Sequence, residues 1–92
     1  MIKSFKHKGL SLFWAKGDKS KLKPAHINKI EDILDALNSA TNLLSCDMPN
    51  KRLHPLKEFD PVRYSLDVSA NYRITFEFVD GNAYNVDYID TH

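Results

Sequence analysis

Cysteine and long apolar runs are both scarce in this sequence of 92 residues. The single cysteine, Cys46, has no second thiol with which to form an internal disulfide or a zinc–thiolate cluster. The longest apolar run is the four residues 12–15, whereas a membrane span needs about 20 and a secretory signal about 7–15. We therefore expect no membrane-spanning segment and no secretory signal, and we expect the protein to reside in a reducing cytoplasm.

The short motifs of several enzyme classes are also missing. The sequence has no glycine-rich phosphate loop, no nucleophile elbow and no HExxH pattern, and its four histidines do not stand at metal-ligand spacing. We therefore expect neither a metal nor a cofactor. Cys46 is interpreted as a small buried apolar residue, and His7 and His26 are interpreted as exposed surface histidines.

The length and composition fit one domain, residues 1–92. The net charge is only +1, but residues 1–57 contain eleven basic and five acidic side chains, whereas residues 58–92 contain two basic and seven acidic ones. A chain polarised in this way can present a basic surface to nucleic acid although its total charge is near zero. The alternative is that these charged side chains lie on solvated surfaces and bind no nucleic acid.

Apolar spacing predicts two helices in the first half of the chain. Leu10, Phe13 and Trp14 have the i, i+3, i+4 spacing of one helical face, and Gly17 suits the position that ends this helix. A second helix is expected to begin at Pro24 and to extend to residues 48–50. Its buried stripe is predicted to contain Ile27, Ile30, Ile33, Leu34, Leu37 and Leu44.

The apolar period changes to two in the second half, which is typical of half-buried antiparallel strands. Strands are predicted over 64–68, 72–78 and 83–89, with turns at 69–71 and 80–82, and a short strand is predicted over 1–5. Strict alternation in the last strand is expected to place Tyr84, Val86 and Tyr88 on one face. The order of elements predicts an α+β domain whose two N-terminal helices pack on one face of a mainly antiparallel β-sheet. The other face would be polar and partly open to a ligand.

Two of the four histidines are well placed for chemistry. His54 lies between the helices and the first predicted strand of the second half, and His92 follows a strand that can hold it. Arg73 is expected on the polar face of its strand. Two imidazoles with Lys and Arg suffice to cleave RNA, because one group takes the proton of the 2′-hydroxyl and another protonates the leaving 5′-oxygen, while cations stabilise the phosphate. The alternative is that these residues form no catalytic site, because scattered histidines, lysines and arginines occur in any basic domain.

Several segments, taken in order, carry a family resemblance that covers essentially the whole chain. They are Met1–Phe5 with Lys8–Leu10, Leu53–Lys57, Asn71–Phe76, Gly81–Tyr84 and Asp90–His92. Together they resemble the HigB toxins, a branch of the RelE-like, ribosome-dependent messenger-RNA endonucleases of bacterial toxin–antitoxin modules. The order of the segments and the ending at His92 make the match specific.

The resemblance implies a RelE-like fold and cleavage of messenger RNA in the ribosomal A site. The implied site consists of His54, Lys57, Arg73, Asp90 and His92. Lys57 and Arg73 would neutralise the scissile phosphate, the two histidines would move protons, and Asp90 would orient an imidazole or bind a ribose hydroxyl. The implied partners are the ribosome, messenger RNA and a helix-turn-helix HigA-like antitoxin, with operator DNA contacted only through the antitoxin complex and no membrane involved.

The chain departs from the family pattern at two places. The family commonly has Tyr where this chain has Thr91, so a ring that could stack on a codon base is missing here. Glu58, Phe59 and Tyr64 also replace residues that are common in the family, which bears on the loop that follows Lys57.

Two other functions stay open from the sequence. One is a toxin of the related ParE branch, which shares the architecture, poisons DNA gyrase and is not a nuclease. The other is a noncatalytic RNA- or ribosome-binding module, which the missing ring at position 91 would suit. The presence of the implied histidines and cations favours the nuclease.

Overall fold

The structure is a computed structural model of the chain, and it describes residues 1–91. Its helical elements are α1 (Lys8–Lys16), a 3₁₀ turn (Pro24–His26) that leads into α2 (Ile27–Ser39), and a second 3₁₀ turn (Leu43–Cys46). The strands are β1 (His54–Leu56), β2 (Arg63–Asp67), β3 (Tyr72–Val79) and β4 (Asn82–Asp90). They form an antiparallel sheet in the order β1-β2-β3-β4. The predicted α+β class, with two helices preceding a mainly antiparallel sheet, is confirmed.

The core lies between the helices and one face of this sheet. Its fully buried aliphatic residues come from α1, α2, β2, β3 and β4, and the largest buried side chain is Phe76 in the centre of β3. The predicted stripe of α2 supplies four of these residues, Ile30, Ile33, Leu34 and Leu37. Over residues 1–91, neither α1 nor α2 combines the length and the apolar character that a membrane-crossing helix needs.

The first helix begins and ends through local hydrogen bonds that its sequence specifies. The Leu10 N–H donates to Nδ1 of His7 (3.2 Å), so His7 caps the helix and is not the exposed histidine that we expected. Gly17 adopts the left-handed conformation (φ 70°) predicted for the helix end. Leu10 and Phe13 are buried, but Trp14 lies at the margin of the apolar face and is 38% exposed.

The second helix ends nine residues earlier than the prediction of residue 48, at Ser39. The segment after it is rich in short polar side chains, which bond to the nearby backbone and favour turns over helix. The Asn42 side chain accepts from the Ser45 N–H (3.0 Å) and caps the second 3₁₀ turn. The prediction that Leu44 is buried is therefore wrong, since it is 79% exposed. Cys46 in the same turn is buried as predicted, and burial raises the pKa of its thiol to about 11.

The hairpin between β3 and β4 has the predicted turn and an unpredicted bulge. Asp80 and Gly81 both have positive φ (51° and 79°), as a two-residue hairpin turn of right-handed twist requires. Thr75 pairs with Asp87, whereas Glu77 pairs with Tyr84, so β4 contains one extra residue in between. Asn85 takes up this bulge at φ 51°.

The bulge corrects the predicted faces of the last strand. Ala83, Val86 and Tyr88 are the buried residues of β4, and Tyr84 does not share their face. An extra residue shifts the alternation by one, which a strict period of two cannot represent.

The two edges of the sheet also differ from the prediction. Residues 1–5 make only two isolated parallel bridges with β4, Ile2 to Ala83 and Phe5 to Val86, instead of the short strand that we expected. At the other edge, His54–Leu56 forms a strand where the sequence indicated only a loop. This edge strand matters for function because it contains His54.

His26 is buried, so the prediction of an exposed side chain is wrong. Its Nδ1 lies 2.6 Å from the hydroxyl oxygen of Tyr88, and its ring packs against Tyr72. Burial lowers the pKa of His26 below the ordinary 6.5, and the charges of Lys23 and Lys29 lower it further. The imidazole is therefore neutral at pH 7, and we assign the Tyr88 hydroxyl as the donor to Nδ1. This bond attaches the start of α2 to the end of β4.

Folding stability should consequently fall as the pH drops below about 6.5. In the unfolded chain His26 has its ordinary pKa of 6.5 and takes up a proton there, whereas the folded chain, with its lowered pKa, resists protonation. Thermal melting from pH 7.5 to 5.5 measures the slope, with His26→Gln as the comparison. We expect the variant to have the smaller slope whatever its absolute stability. Equal slopes would mean that another group is responsible.

Candidate functional site

The face of the sheet turned away from the helices brings together several polar side chains. Cross-strand pairing makes one row of His54, Ser65, Thr75 and Asp87, and the neighbouring row contains Asp67, Arg73 and Ile89. Side chains on a strand alternate between faces, so both rows lie on the face opposite the core residues Leu66, Ile74 and Tyr88. We call this surface the open face.

Arg73 is held on the open face by a carboxylate that a second arginine shares. Its Nη1 lies 2.7 Å from Oδ1 of Asp67, and Nε of Arg52 lies 2.6 Å from Oδ2 of the same residue. Two cations against one carboxylate leave one net positive charge. The Arg73 side chain is 22% exposed and the Arg52 side chain 74% exposed, so the excess charge faces solvent. Such a cluster can bind a phosphate.

Sequence reasoning missed Asp67 and Arg52 as members of this cluster. A clue for Asp67 was present, because the short turn at 69–71 places it opposite Arg73 in the predicted hairpin. Arg52 had no such clue. Its backbone has φ 50°, and the Asp67 N–H donates to the carbonyl oxygen of Lys51 (2.6 Å), a tertiary contact without a sequence pattern.

His54 is oriented by its own loop. Its Nδ1 lies 2.9 Å from the carbonyl oxygen of Arg52. A carbonyl oxygen can only accept, so Nδ1 carries the proton and the neutral ring presents Nε2 as its acceptor. His54 and Arg73 are two strands and two residues apart, which corresponds to about 12 Å between Cα atoms. A long arginine side chain can span much of that distance, so both groups can reach one ligand.

The remaining predicted site residues are distributed around this pair. Lys57 is exposed in the turn that follows β1. Asp90 pairs with Tyr72 at the end of β4, on the helix side of the sheet, so it does not share the open face with Arg73. Thr91 donates its N–H to the Asn71 carbonyl oxygen (2.7 Å). His92 lies outside the described residues.

Part of the open face is a network of hydrogen-bonded polar side chains centred on Arg63. Arg63 is buried, and its guanidinium donates to Glu77 (3.0 Å), Thr75 (3.0 Å) and the Asn85 carbonyl oxygen (2.7 Å). This network joins β2, β3 and the bulge of β4 on the same face of the sheet as His54 and Arg73. Across residues 1–91, no three His, Cys, Asp or Glu side chains gather as metal ligands would.

A family model described as the RelE-like toxin of type II toxin–antitoxin system HigB matches residues 3–92. Among curated proteins, Endoribonuclease HigB of Proteus vulgaris is 44% identical over 92 residues, covering 100% of both chains.

Proposed function

Because this chain belongs to the HigB branch of the RelE-like toxins of type II toxin–antitoxin systems, we propose that it is an endoribonuclease that cleaves translated messenger RNA. The relative from Proteus vulgaris is named for endoribonuclease activity. The observation that carries the proposal in this chain is the open face, where an oriented imidazole, His54, lies near the two arginines that share Asp67.

The proposed chemistry is attack of a ribose 2′-oxygen on the adjacent phosphorus. Nε2 of His54 takes the proton of the 2′-hydroxyl while the new O–P bond forms. The P–O5′ bond then breaks, and the 5′-oxygen receives a proton from a second acid, a role for which His92 stays the predicted candidate. The products are a 2′,3′-cyclic phosphate and a 5′-hydroxyl; every heavy atom comes from the RNA, and the proton that the acid gives up balances the one that His54 takes.

The cations of the open face would stabilise the charge that develops on the phosphate. Arg73 is held in place by Asp67, so little reorganisation is needed when the transition state forms. Arg52 and Lys57 add positive charge nearby. Asp90 stays a predicted site residue, and its position at the sheet edge suits contact with a ribose hydroxyl better than contact with the His54 ring.

We further propose that the partners are the ribosome, its messenger RNA and a helix-turn-helix antitoxin of the HigA type, in the cytoplasm where translation occurs. Operator DNA would be reached only through the antitoxin complex. Lysines between residues 16 and 29 are exposed and suit acidic side chains of the antitoxin.

Cleavage should depend on translating ribosomes. The proposed site is an open surface with few substrate-positioning groups, and positioning by a large partner can supply roughly 7–11 kcal/mol of a barrier. The test compares one transcript with and without ribosomes and maps the breaks by primer extension. We expect codon-phased breaks only during translation, and none at a nucleotide carrying 2′-deoxyribose. Cleavage of the 2′-deoxy position, or equal cleavage of naked RNA, would contradict the proposal.

A further inference from the structure

A pocket of about 330 Å³ opens on the open face, between the sheet and the loop of residues 57–62. Its apolar wall is made by Phe59, Pro61 and Ile89, and its polar groups include Lys6, Thr75 and Asp87. This volume is within the range of about 300–1,000 Å³ that small-molecule sites occupy. Thr75 and Asp87 also belong to the row that begins at His54, so the pocket adjoins the proposed site.

Phe59 is the unusual feature of this pocket. Its side chain is 48% exposed although the protein has a well-formed apolar core, and it projects from the loop that also holds Lys57. Proteins that bind single-stranded nucleic acid stack its bases on exposed aromatic rings, and cationic side chains nearby contact its phosphates. Phe59 therefore offers a ring on which a base of single-stranded RNA can stack.

Asp87 gives the pocket a hydrogen-bond acceptor of defined position. Its Oδ1 accepts from the Tyr88 N–H (2.9 Å), which fixes the carboxylate. Within residues 1–91 it has no ion-pair partner, whereas Glu77 in the same pocket is neutralised by Arg63 at 3.0 Å. A carboxylate in this setting suits an exocyclic amino group, in the way that Asp and Glu accept from cytosine N4.

We propose that this pocket is a subsite for one amino-bearing nucleobase of the substrate RNA, stacked on Phe59 and donating its amino group to Asp87. Lys6 at the rim contacts the phosphate beside that base. The subsite rests on the proposed nuclease function and adds a base preference to it. Asp87 is three strands from His54, about 14 Å, so the recognised base flanks the cleaved bond and does not carry the attacking hydroxyl.

The test is a substitution scan of one translated message around its strongest cleavage point. Each nearby nucleotide is replaced in turn by uridine, which has no exocyclic amino group, and by an abasic nucleotide. With the wild-type protein, we expect the abasic nucleotide to lower cleavage by about 5- to 150-fold at one flanking position, the fold-change that base–aromatic stacking of roughly 1–3 kcal/mol predicts. Uridine at the same position still stacks and should lower cleavage only through the loss of the amino group that Asp87 accepts.

Variants of the pocket residues test whether the pocket causes this dependence of cleavage on the flanking base. Phe59→Ala should cleave the parent message more slowly by a similar factor and should lose its sensitivity at the flanking position, while Phe59→Trp should retain both. Asp87→Ala should lose the discrimination against uridine but still respond to the abasic nucleotide. Val62→Ala is the matched control, because Val62 is an exposed apolar residue (37%) of the same loop that does not line the pocket.

The possible outcomes separate the subsite from the nuclease itself. Failure of the wild-type protein to cleave any message would overturn the proposed function. Normal wild-type cleavage with a Phe59→Ala variant that behaves like Val62→Ala would overturn the subsite alone. Wild-type cleavage that is insensitive to every flanking base would do the same.

Discussion

Replacing Arg73 by alanine is expected to slow ribosome-dependent cleavage by about 10²–10³-fold, the typical loss when one group that stabilises transition-state charge is removed. The fold should survive, because the side chain is 22% exposed and contributes nothing to the apolar core. Asp67 also keeps a cation, since Arg52 remains 2.6 Å from its other oxygen. Single-turnover cleavage on ribosomes, with thermal melting of the same samples, separates the two effects.

Two comparison variants sharpen this experiment. Arg73→Lys keeps the charge but loses the planar guanidinium, so it should recover part of the activity. Lys3→Ala removes one exposed cation from the opposite edge of the sheet and should cleave normally. A folded Arg73→Ala protein with wild-type cleavage would show that Arg73 is a structural partner of Asp67 and that the nuclease site lies elsewhere.

Substitution of either histidine of the predicted site should also slow cleavage. His54→Ala should cost about 10²–10⁴-fold, the usual contribution of a proton-transfer group, and it removes a half-buried edge-strand side chain without opening the core. His92→Ala is expected to lose activity to a comparable extent. If both variants cleave normally, proton transfer does not depend on these imidazoles.

The parts of the fold that periodicity encodes could be predicted from the sequence. The α2 stripe from Ile30 to Leu37, the strands β2 and β3 and the turn at Asp80 all follow from regular spacing or from turn chemistry, which are local properties. The early end of α2 was missed because an apolar residue, Leu44, happens to continue the helical spacing beyond Ser39. The Asn85 bulge was missed because an inserted residue leaves the apolar composition of β4 unchanged.

Only part of the candidate site could be predicted from the sequence, because the orientation of its side chains is not a local property of the chain. His54 and Arg73 could be named from residue type and from resemblance, but their orientation depends on contacts between distant segments. Asp67 joins β2 to Arg52, and the Arg52 carbonyl oxygen fixes the His54 ring. The placement of Asp90 on the other side of the sheet follows from pairing with Tyr72, which a linear motif does not specify.

The largest expected effect on stability is that of Phe76→Ala. Phe76 is fully buried in the central strand β3, where its ring lies 5.9 Å from that of Tyr64 and 6.4 Å from that of Phe78. Helices pack over it and hydrogen-bonded strands flank it on both sides, so the surroundings cannot close the cavity that truncation leaves. We expect a loss of about 3–5 kcal/mol in the free energy of unfolding.

Such a loss is a large part of the 5–15 kcal/mol that roughly bounds the stability of a domain, and each kcal/mol lowers the melting temperature by about 4–8 °C at this chain length. Denaturant unfolding and thermal melting measure it. Phe59→Ala is the matched control, since the same atoms are removed from a side chain that is 48% exposed and the change should stay within about 0.5 kcal/mol. Equal losses in the two variants would contradict the placement of the core, because burial is the property in which these two phenylalanines differ.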